Sequence, residues 1–255
     1  MTLFHALVLG IVEGITEYLP VSSTFHLIWT SYLLGLEQTK FLKMFEVVIQ
    51  TGAIASVTFL YFATLLKERQ LVLKVLVSFV PTAVVGFVLY KMIKDVFFEQ
   101  TMLQIVVFIL VGIVFIVFEK YNPEKRLTKT VSQLTYREAV IVGLVQSLAV
   151  VPGVSRAGAV ILTLMILRVN RKDSATYSFL LAAPTLFAAG ALDLTQSYSA
   201  LTSQTNNILL IVGFTASFIS ALIVMKWFIR FLQQHDLSLF GWYRIGAGIV
   251  FLLLS

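Results

Sequence analysis

The chain has 255 residues and a mean hydropathy of +0.92; 58% of the residues are hydrophobic and only 13% are charged. Soluble domains carry about 25% charged residues, so the composition excludes a soluble domain and predicts an integral membrane protein whose first partner is the bilayer. The sequence has no cysteine, which excludes disulfides and thiol chemistry. We attribute the net charge of +6 to basic loops that anchor the protein in the membrane, and expect no nucleic acid as a partner.

Taken in chain order, apolar segments and their breaks predict an all-α integral membrane protein of about ten helices. The first apolar run contains Glu13 and Glu17 and lacks a basic stretch before it, so we do not expect a cleaved signal peptide. Six segments are predicted to span the membrane: 41–63, 71–90, 102–118, 174–194, 206–229 and 240–254.

Four shorter segments form two pairs, 3–19 with 22–35 and 136–150 with 155–167, and a proline-containing turn breaks each pair. Half-length helices around a polar break are typical of re-entrant hairpins, which are tolerated at membrane depth only where protein or a water-filled cavity surrounds them. We therefore predict two re-entrant helical hairpins in addition to the six spans.

The two hairpins resemble each other in sequence. Residues 6–22, laid over 139–155, share five identities, and Glu13 meets Gln146. The identical pairs are Ala6/Ala139, Gly10/Gly143, Val12/Val145, Val21/Val154 and Ser22/Ser155. Each half then holds one hairpin and three spans, and because three is odd the second half must be inverted. We predict a single membrane domain over 1–255 with an inverted-topology repeat of 1–118 and 136–255, whose broken hairpins meet near the bilayer midplane.

Basic residues predict the orientation of the chain. With the N-terminus outside, fourteen of them, including Arg244, Lys125 and Arg126, fall on the cytoplasmic side, and four, including Lys91 and Lys94, fall outside. This bias fits the positive-inside rule, so we predict a multi-pass protein of the cell membrane with both termini outside.

Ionisable groups inside membrane segments are costly and usually functional. Glu13 and Glu17 are four residues apart, hence on one face of a helix. Two carboxylates in one site of low dielectric constant should differ in proton affinity, which suits one of them for base catalysis. Structural hydrogen bonding of the two carboxyls is the alternative.

Ser22, Ser23 and Thr24 open the helix after the first break, where free N–H groups favour a phosphate. Ordinary N-capping by a serine is the alternative. His26 follows within reach of the same anion. We predict catalytic roles for Glu13, Glu17, Ser23 and His26, and substrate contacts for Ser22 and Thr24.

Arg156 lies at the corresponding helix start in the second hairpin and could hold two phosphate oxygens in a bidentate manner. We predict that it is catalytic, that Ser155 contacts the substrate, and that Gly153 and Gly158 let the backbone approach it closely.

These segments resemble the two signature motifs of the bacitracin-resistance-type undecaprenyl-diphosphate phosphatases. The motifs read Glu13-Gly14-Ile15-Thr16-Glu17-Tyr18-Leu19-Pro20-Val21-Ser22-Ser23-Thr24 with His26, and Pro152-Gly153-Val154-Ser155-Arg156-Ala157-Gly158. Further resemblance lies in residues 45–50 and 178–184. The resemblance implies a polyprenyl diphosphate lipid as substrate, release of its terminal phosphate, and recycling of the lipid carrier used in cell-wall synthesis. It also implies stimulation by a divalent cation, Mg²⁺ or Ca²⁺, for which Glu13 and Glu17 are the candidate ligands.

Two positions depart from the family pattern: Phe25 replaces a usual glycine and Ala157 a usual serine. Phe25 would either crowd the phosphate or point into lipid, and Ala157 removes a hydroxyl from the phosphate site. A rival function is open, because inverted repeats with broken helices also build transporters: a lipid-phosphate flippase or an ion-coupled carrier. The choice between monomer and homodimer is also open, as is that between Ser23, His26 and water as the nucleophile.

Overall fold

The computed structural model describes residues 1–37, 39–92, 100–121, 127–197 and 204–254, and the regular elements of this part are helices. In chain order they are α1 (Leu3–Thr16), α2 (Ser23–Leu33), α3 (Lys40–Lys67), α4 (Arg69–Met92), α5 (Thr101–Tyr121), α6 (Tyr136–Gln146), α7 (Arg156–Ile166), α8 (Arg171–Ser197), α9 (Gln204–Leu232) and α10 (Ser238–Leu254). Two short 3₁₀ turns, Val131–Gln133 and Ser147–Val150, precede and follow α6.

Four helices are long and apolar enough to cross a bilayer: Lys40–Lys67, Arg69–Leu89, Thr101–Tyr121 and Asn207–Leu232. The other two predicted spans are also helices, but α10 has only 17 residues and α8 begins with the charged run Arg171–Asp173. The prediction of an all-helical membrane protein with about ten helices is therefore confirmed. Lys94, Lys125 and Arg126, used to predict the orientation, lie outside the described residues.

The two predicted hairpins correspond to two pairs of short helices, α1 with α2 and α6 with α7. Tyr136, Arg156 and Ile166 each lie 133 residues after Leu3, Ser23 and Leu33, so three of the four helix boundaries have the same spacing. The polar breaks fall between the helices of each pair, as proline and the left-handed backbone of the turn residues require.

Small residues let the helices approach closely. A Cβ added to Gly112 on α5 would lie 2.8 Å from the carbonyl oxygen of Gly241 on α10, and one added to Gly10 on α1 would lie 2.9 Å from the Cβ of Ala216 on α9. Gly143 on α6 contacts the backbone of Ser78 on α4 in the same way. In a membrane protein, where lipid is as apolar as the helix surface, such close contact drives helix association.

Candidate active site

Two turns of matching conformation begin helices α2 and α7. The residue before each helix, Ser22 or Ser155, has a positive φ of 66° or 73°. Non-glycine residues rarely adopt this left-handed region, and where they do they commonly belong to functional sites. Ser155 Oγ accepts a hydrogen bond from the Gly158 N–H at 3.2 Å, whereas the Ser22 side chain makes no cap hydrogen bond. The side chain of Ser22 therefore does not cap the N–H groups at the start of α2. Uncapped N–H groups at a helix N-terminus are free to bind an anion.

Arg244 on α10 holds the two turns together. Its Nη1 donates to the Pro20 carbonyl at 3.0 Å, its Nη2 donates to the Gly153 carbonyl, and its Nε donates to the Phe108 carbonyl at 2.9 Å. The side chain is fully buried. Arg244 was counted among the cytoplasmic basic residues in the prediction of orientation, but its guanidinium is buried in the bundle and does not act as a loop anchor. Its position within an apolar segment was a signal of a functional role.

Glu17, Ser23 and Arg156 form the centre of the site. Glu17 directly follows α1. One of its carboxylate oxygens accepts a hydrogen bond from Ser23 Oγ–H, and the other forms an ion pair with Arg156 Nη2 at 2.6 Å. Arg156 also donates through Nη1 to the Ser178 carbonyl at 2.7 Å. The side chains of Glu17, Ser23 and Arg156 are almost entirely buried. A hydroxyl whose proton is directed at a carboxylate is the arrangement of an activated nucleophile.

Arg156 retains capacity for a ligand. Its Nε–H has no hydrogen-bond partner within the part of the chain that the structure describes, although the atom is buried. A buried guanidinium donor without a partner is costly unless a ligand accepts from it. Among the described residues, the salt-bridge partner of Arg156 is Glu17, and not Glu13 or Glu46.

A cavity of about 520 Å³ opens at this centre. Its lining combines Glu17, Arg156 and the hydroxyls of both turns with apolar side chains. The polar lining residues also include Gln50, Gln146, Thr82 and Thr185 beside Ser22, Ser23, Thr24 and Ser155, and the apolar ones include Phe79, Ala83, Phe87, Leu186, Ala188 and Ala189. A cavity lined by a carboxylate, a guanidinium and hydroxyls together with apolar side chains suits an amphiphile with a charged head group.

Gln146 was not predicted as a site residue, although the repeat aligns it with Glu13. Its Nε2 donates to the hydroxyl oxygens of Thr82 at 2.8 Å and Thr185 at 3.2 Å. Both threonines use their own protons on backbone carbonyls, those of Gly143 and Leu181 respectively. The amide orientation follows from this pattern, because the threonines can only accept, and Gln146 Oε1 is left without a partner among the described residues.

His26 is turned away from the centre. Its Nδ1 contacts the Ser22 carbonyl at 2.8 Å, and its Nε2 pairs with the Tyr243 hydroxyl at 2.6 Å, while the two rings stack. Neither His26 nor Glu13 lines the cavity, whereas Ser22, Ser23 and Thr24 do. Tyr243 was missed in the sequence because a tyrosine near a helix start is common in membrane proteins.

The glycines of the second turn approach protein in the structure. A Cβ added to Gly153, whose φ is +100°, would lie 2.6 Å from the Gln104 carbonyl oxygen. One added to Gly158 would lie 2.7 Å from the Phe115 ring. Both glycines therefore allow the second turn to lie against α5.

The two departures from the family pattern lie away from the cavity lining. Phe25 is fully buried and stacks on Phe108 with ring centroids 4.2 Å apart. Both expectations for Phe25 were wrong, because the ring packs inside the bundle beside Trp29 and Phe251. Ala157 is also buried and does not line the cavity.

The side chains near Glu13 and Glu17 provide some, but not all, of the ligands that a divalent cation needs. Both carboxylate oxygens of Glu13 are buried without a hydrogen-bond donor among the described residues, and the carboxyl lies within electrostatic reach of Glu17, Glu46 and Arg156. Within the described ranges, no three acidic or histidine side chains cluster as a metal site. Mg²⁺ commonly binds one or two carboxylates together with substrate phosphates, so the donor set fits such an ion with Glu13 as the freer ligand.

The fold and the cavity define a class: a helical integral membrane protein with a buried hydroxyl, carboxylate and guanidinium site for an anionic amphiphile. The family model described as bacitracin resistance protein BacA matches residues 6–250. The chain therefore belongs to the BacA family.

Relatives of known name cover the whole chain. A protein of Aquifex aeolicus named undecaprenyl-diphosphatase is 46% identical over 251 residues, 98% of each chain. Proteins of the same name from Sulfurihydrogenibium sp. and Campylobacter hominis are 46% and 43% identical, over 99% of this chain and 99% and 98% of their own length.

Proposed function

We propose that this protein is an undecaprenyl-diphosphatase, which hydrolyses the terminal phosphate of a polyprenyl diphosphate to give the monophosphate lipid carrier. The observation that carries the proposal is the contact of Ser23 and Arg156 with one carboxylate, Glu17, in a cavity whose lining is partly apolar. The names of the relatives support phosphatase activity over the rival transporter function, since they describe a diphosphatase.

In the proposed first step, Ser23 Oγ attacks the terminal phosphorus while Glu17 takes the hydroxyl proton. The bond from phosphorus to the bridging oxygen breaks, and the polyprenyl monophosphate leaves. Arg156 and the N–H groups at the start of α2 stabilise the charge on the transferred phosphoryl oxygens. Glu17 passes its proton to solvent and is again a carboxylate. Water then attacks the phosphoserine while Glu17 takes its proton, the bond from phosphorus to Ser23 Oγ breaks, and Glu17 returns the proton to Ser23 Oγ as inorganic phosphate is released.

The contacts favour Ser23 over His26 as the nucleophile. Ser23 lines the cavity and directs its proton to Glu17, whereas His26 does not line the cavity and has both ring nitrogens engaged, by the Ser22 carbonyl and the Tyr243 hydroxyl. His26 and Tyr243 then serve to fix the first turn of α2. Ser22, Thr24 and Ser155 face the cavity and are placed to contact the diphosphate.

A divalent cation, when bound, would neutralise charge on the diphosphate oxygens. Glu13 would hold it, with Glu17 as the second candidate ligand. The polyprenyl chain would lie along Phe79, Phe87 and Leu186 and leave the cavity toward the lipid.

We further propose that α1 with α2 and α6 with α7 are re-entrant hairpins of an inverted repeat. The common offset of the helix boundaries, the paired positive φ values of Ser22 and Ser155, and the bridging of both turns by Arg244 support this arrangement. The charge bias, with Arg244 removed from the cytoplasmic count, supports termini outside the cell.

The test is release of phosphate from undecaprenyl diphosphate by the purified protein in detergent. We expect Ser23→Ala to lower turnover at least about 10²-fold, because the hydroxyl forms the phosphoryl bond. Ser31→Ala is the matched control: Ser31 is buried on the same helix but does not line the cavity. Lipid movement across vesicles without phosphate release would instead establish the rival transport function.

A further inference from the structure

A second cavity lies between α3, α8 and α9, far from the candidate active site. It has a volume of about 460 Å³, and its lining includes three basic side chains, Lys172 of α8 with Lys226 and Arg230 of α9. Tyr61 and Leu60 of α3 also line it. Tyr61 departs from helical geometry, with φ −108° and ψ 15°, so α3 bends at the level of this cavity.

The three cations lack acidic partners in the described part of the chain. No acidic side chain lines the cavity, and the ion pairs among described residues use Lys129, Arg156 and Arg171 instead. Arg171 directly precedes Lys172, yet it is committed to Glu119 at 2.5 and 2.7 Å. Like charges held around one cavity repel each other, and a bound anion removes that repulsion.

The second cavity is separate from the first along the bundle. Gln50 lines the first cavity and Thr64 lines the second, both on α3. At the helical rise of 1.5 Å per residue, the two positions lie about 20 Å apart. A ligand of the second cavity therefore does not occupy the candidate active site.

Exposed apolar side chains neighbour the lining residues along α3 and α9. Phe62 and Leu66, beside Tyr61 and Thr64 on α3, are 59% and 65% exposed, and Ile223 and Trp227, beside Lys226 on α9, are 63% and 47% exposed. In a bilayer these side chains face acyl chains. A phospholipid could place its head group on the three cations and its acyl chains along these residues, whereas a free phosphate would match only the cations.

We propose that this cavity binds the head group of an anionic phospholipid from the membrane leaflet at that face. Basic pockets between transmembrane helices are recognised sites for such head groups. A phospholipid head group and free phosphate both offer a phosphoryl anion to the three cations. The exposed apolar residues beside the cavity favour the lipid, because only a lipid also has acyl chains to cover them. The site would fasten the ends of α8 and α9 to the membrane surface independently of catalysis.

Native mass spectrometry of the full chain, delipidated in detergent and then given phosphatidylglycerol, tests the proposal. We expect one phosphatidylglycerol per chain to be retained, and the double variant Lys226→Gln with Arg230→Gln to weaken its binding about tenfold or more. Lys120→Gln is the matched control, because Lys120 is an exposed lysine near the end of α5 that does not line the cavity. Thermal unfolding of each variant verifies that it is folded.

Three outcomes would overturn the proposal. Equal retention of phosphatidylglycerol by the wild type and the double variant would show that these cations do not hold the lipid. Equal retention of phosphatidylcholine and phosphatidylglycerol by the wild type would show that head-group charge is not recognised. Displacement of the bound lipid by millimolar inorganic phosphate would assign the site to a free anion.

Discussion

At the scale of single residues, Glu17 is the side chain on which the proposed chemistry depends. We expect Glu17→Gln to lower turnover by about 10²-fold or more, because the amide keeps the shape of the side chain but cannot take the proton of Ser23. Single-turnover phosphate release separates this effect from substrate binding, which should change little.

Glu13→Gln serves as the comparison for Glu17. Glu13 lies outside the cavity lining, so its substitution should reduce the chemical step less. Because Glu13 is the proposed cation ligand, its substitution should change the dependence on added Mg²⁺ or Ca²⁺ more. If Glu17→Gln turns over at the wild-type rate, the base is another group and the proposed mechanism fails.

Arg156 gives a second prediction at this scale. Arg156→Lys keeps the positive charge but loses the fork that contacts Glu17 and Ser178 together and the free Nε–H. We expect kcat/KM to fall at least about tenfold, which corresponds to about 1.4 kcal/mol of transition-state stabilisation. Near-normal kcat/KM in a folded Arg156→Lys protein would mean that the arginine only stabilises the turn.

At the scale of helices, the contact of α5 with α10 positions Arg244. A Cβ added to Gly112 would lie 2.8 Å from the Gly241 carbonyl oxygen and 2.9 Å from the Cβ of Arg244. We expect Gly112→Ala to lower stability by about 1–3 kcal/mol and to reduce activity, because α10 must move and carries Arg244 away from both turns.

Gly246→Ala is the control for that variant. Gly246 lies on α10 two residues after Arg244, and an added Cβ meets nothing within 4 Å. Thermal unfolding in detergent and phosphate release should match the wild type for Gly246→Ala. A stable and fully active Gly112→Ala protein would contradict the tight contact.

The start of α6 gives a prediction about pH. Thr135 and Glu138 form a capping box, and Lys129 Nζ contacts both Glu138 carboxylate oxygens at 2.6 Å. Partial burial alone would raise the pKa of Glu138, but the hydrogen bonds from Lys129 and Thr135 outweigh it and lower the pKa below its usual value.

A carboxyl group whose pKa is lower in the folded than in the unfolded state stabilises the folded protein at pH values above its unfolded-state pKa. This contribution is lost as the pH falls through the folded-state pKa. We expect Glu138→Gln to destabilise the protein by about 1 kcal/mol at pH 7 and by progressively less below about pH 4. Thermal unfolding across this range measures the difference. Glu37→Gln, at an exposed carboxylate, should show no such trend.

At the scale of the whole molecule, the absence of cysteine makes the proposed orientation directly testable. We expect a cysteine appended after the C-terminus to react with a membrane-impermeant maleimide added to intact cells, and a cysteine in place of Ser132 to react only after the cells are permeabilised. The C-terminal cysteine should react from outside, because both ends of an inverted repeat with three spans in each half lie on one side. Labelling of both cysteines from the same side would exclude the inverted repeat, and labelling of only the residue 132 cysteine in intact cells would reverse the proposed orientation.

The sequence by itself determined the helices, the two polar breaks and the polar residues within them. These were predictable because water is absent from the bilayer: an apolar run must be helical, and a carboxylate or guanidinium within it needs a partner or a ligand. Glu17, Ser23 and Arg156 were identified in this way, although their mutual contacts were not.

Only the tertiary structure decided which of these groups meet. Glu17 and Arg156 are 139 residues apart, and Arg244 reaches Pro20 across 224 residues, so no local spacing could pair them. The direction of each side chain depends on which helix face is packed, and glycines such as Gly112 and Gly241 set that packing. In the sequence, Arg244 therefore resembled a surface anchor. In the structure, the close contact of α5 with α10 places its guanidinium inside the bundle, where backbone carbonyls, including those of both turns, accept its hydrogen bonds in place of water.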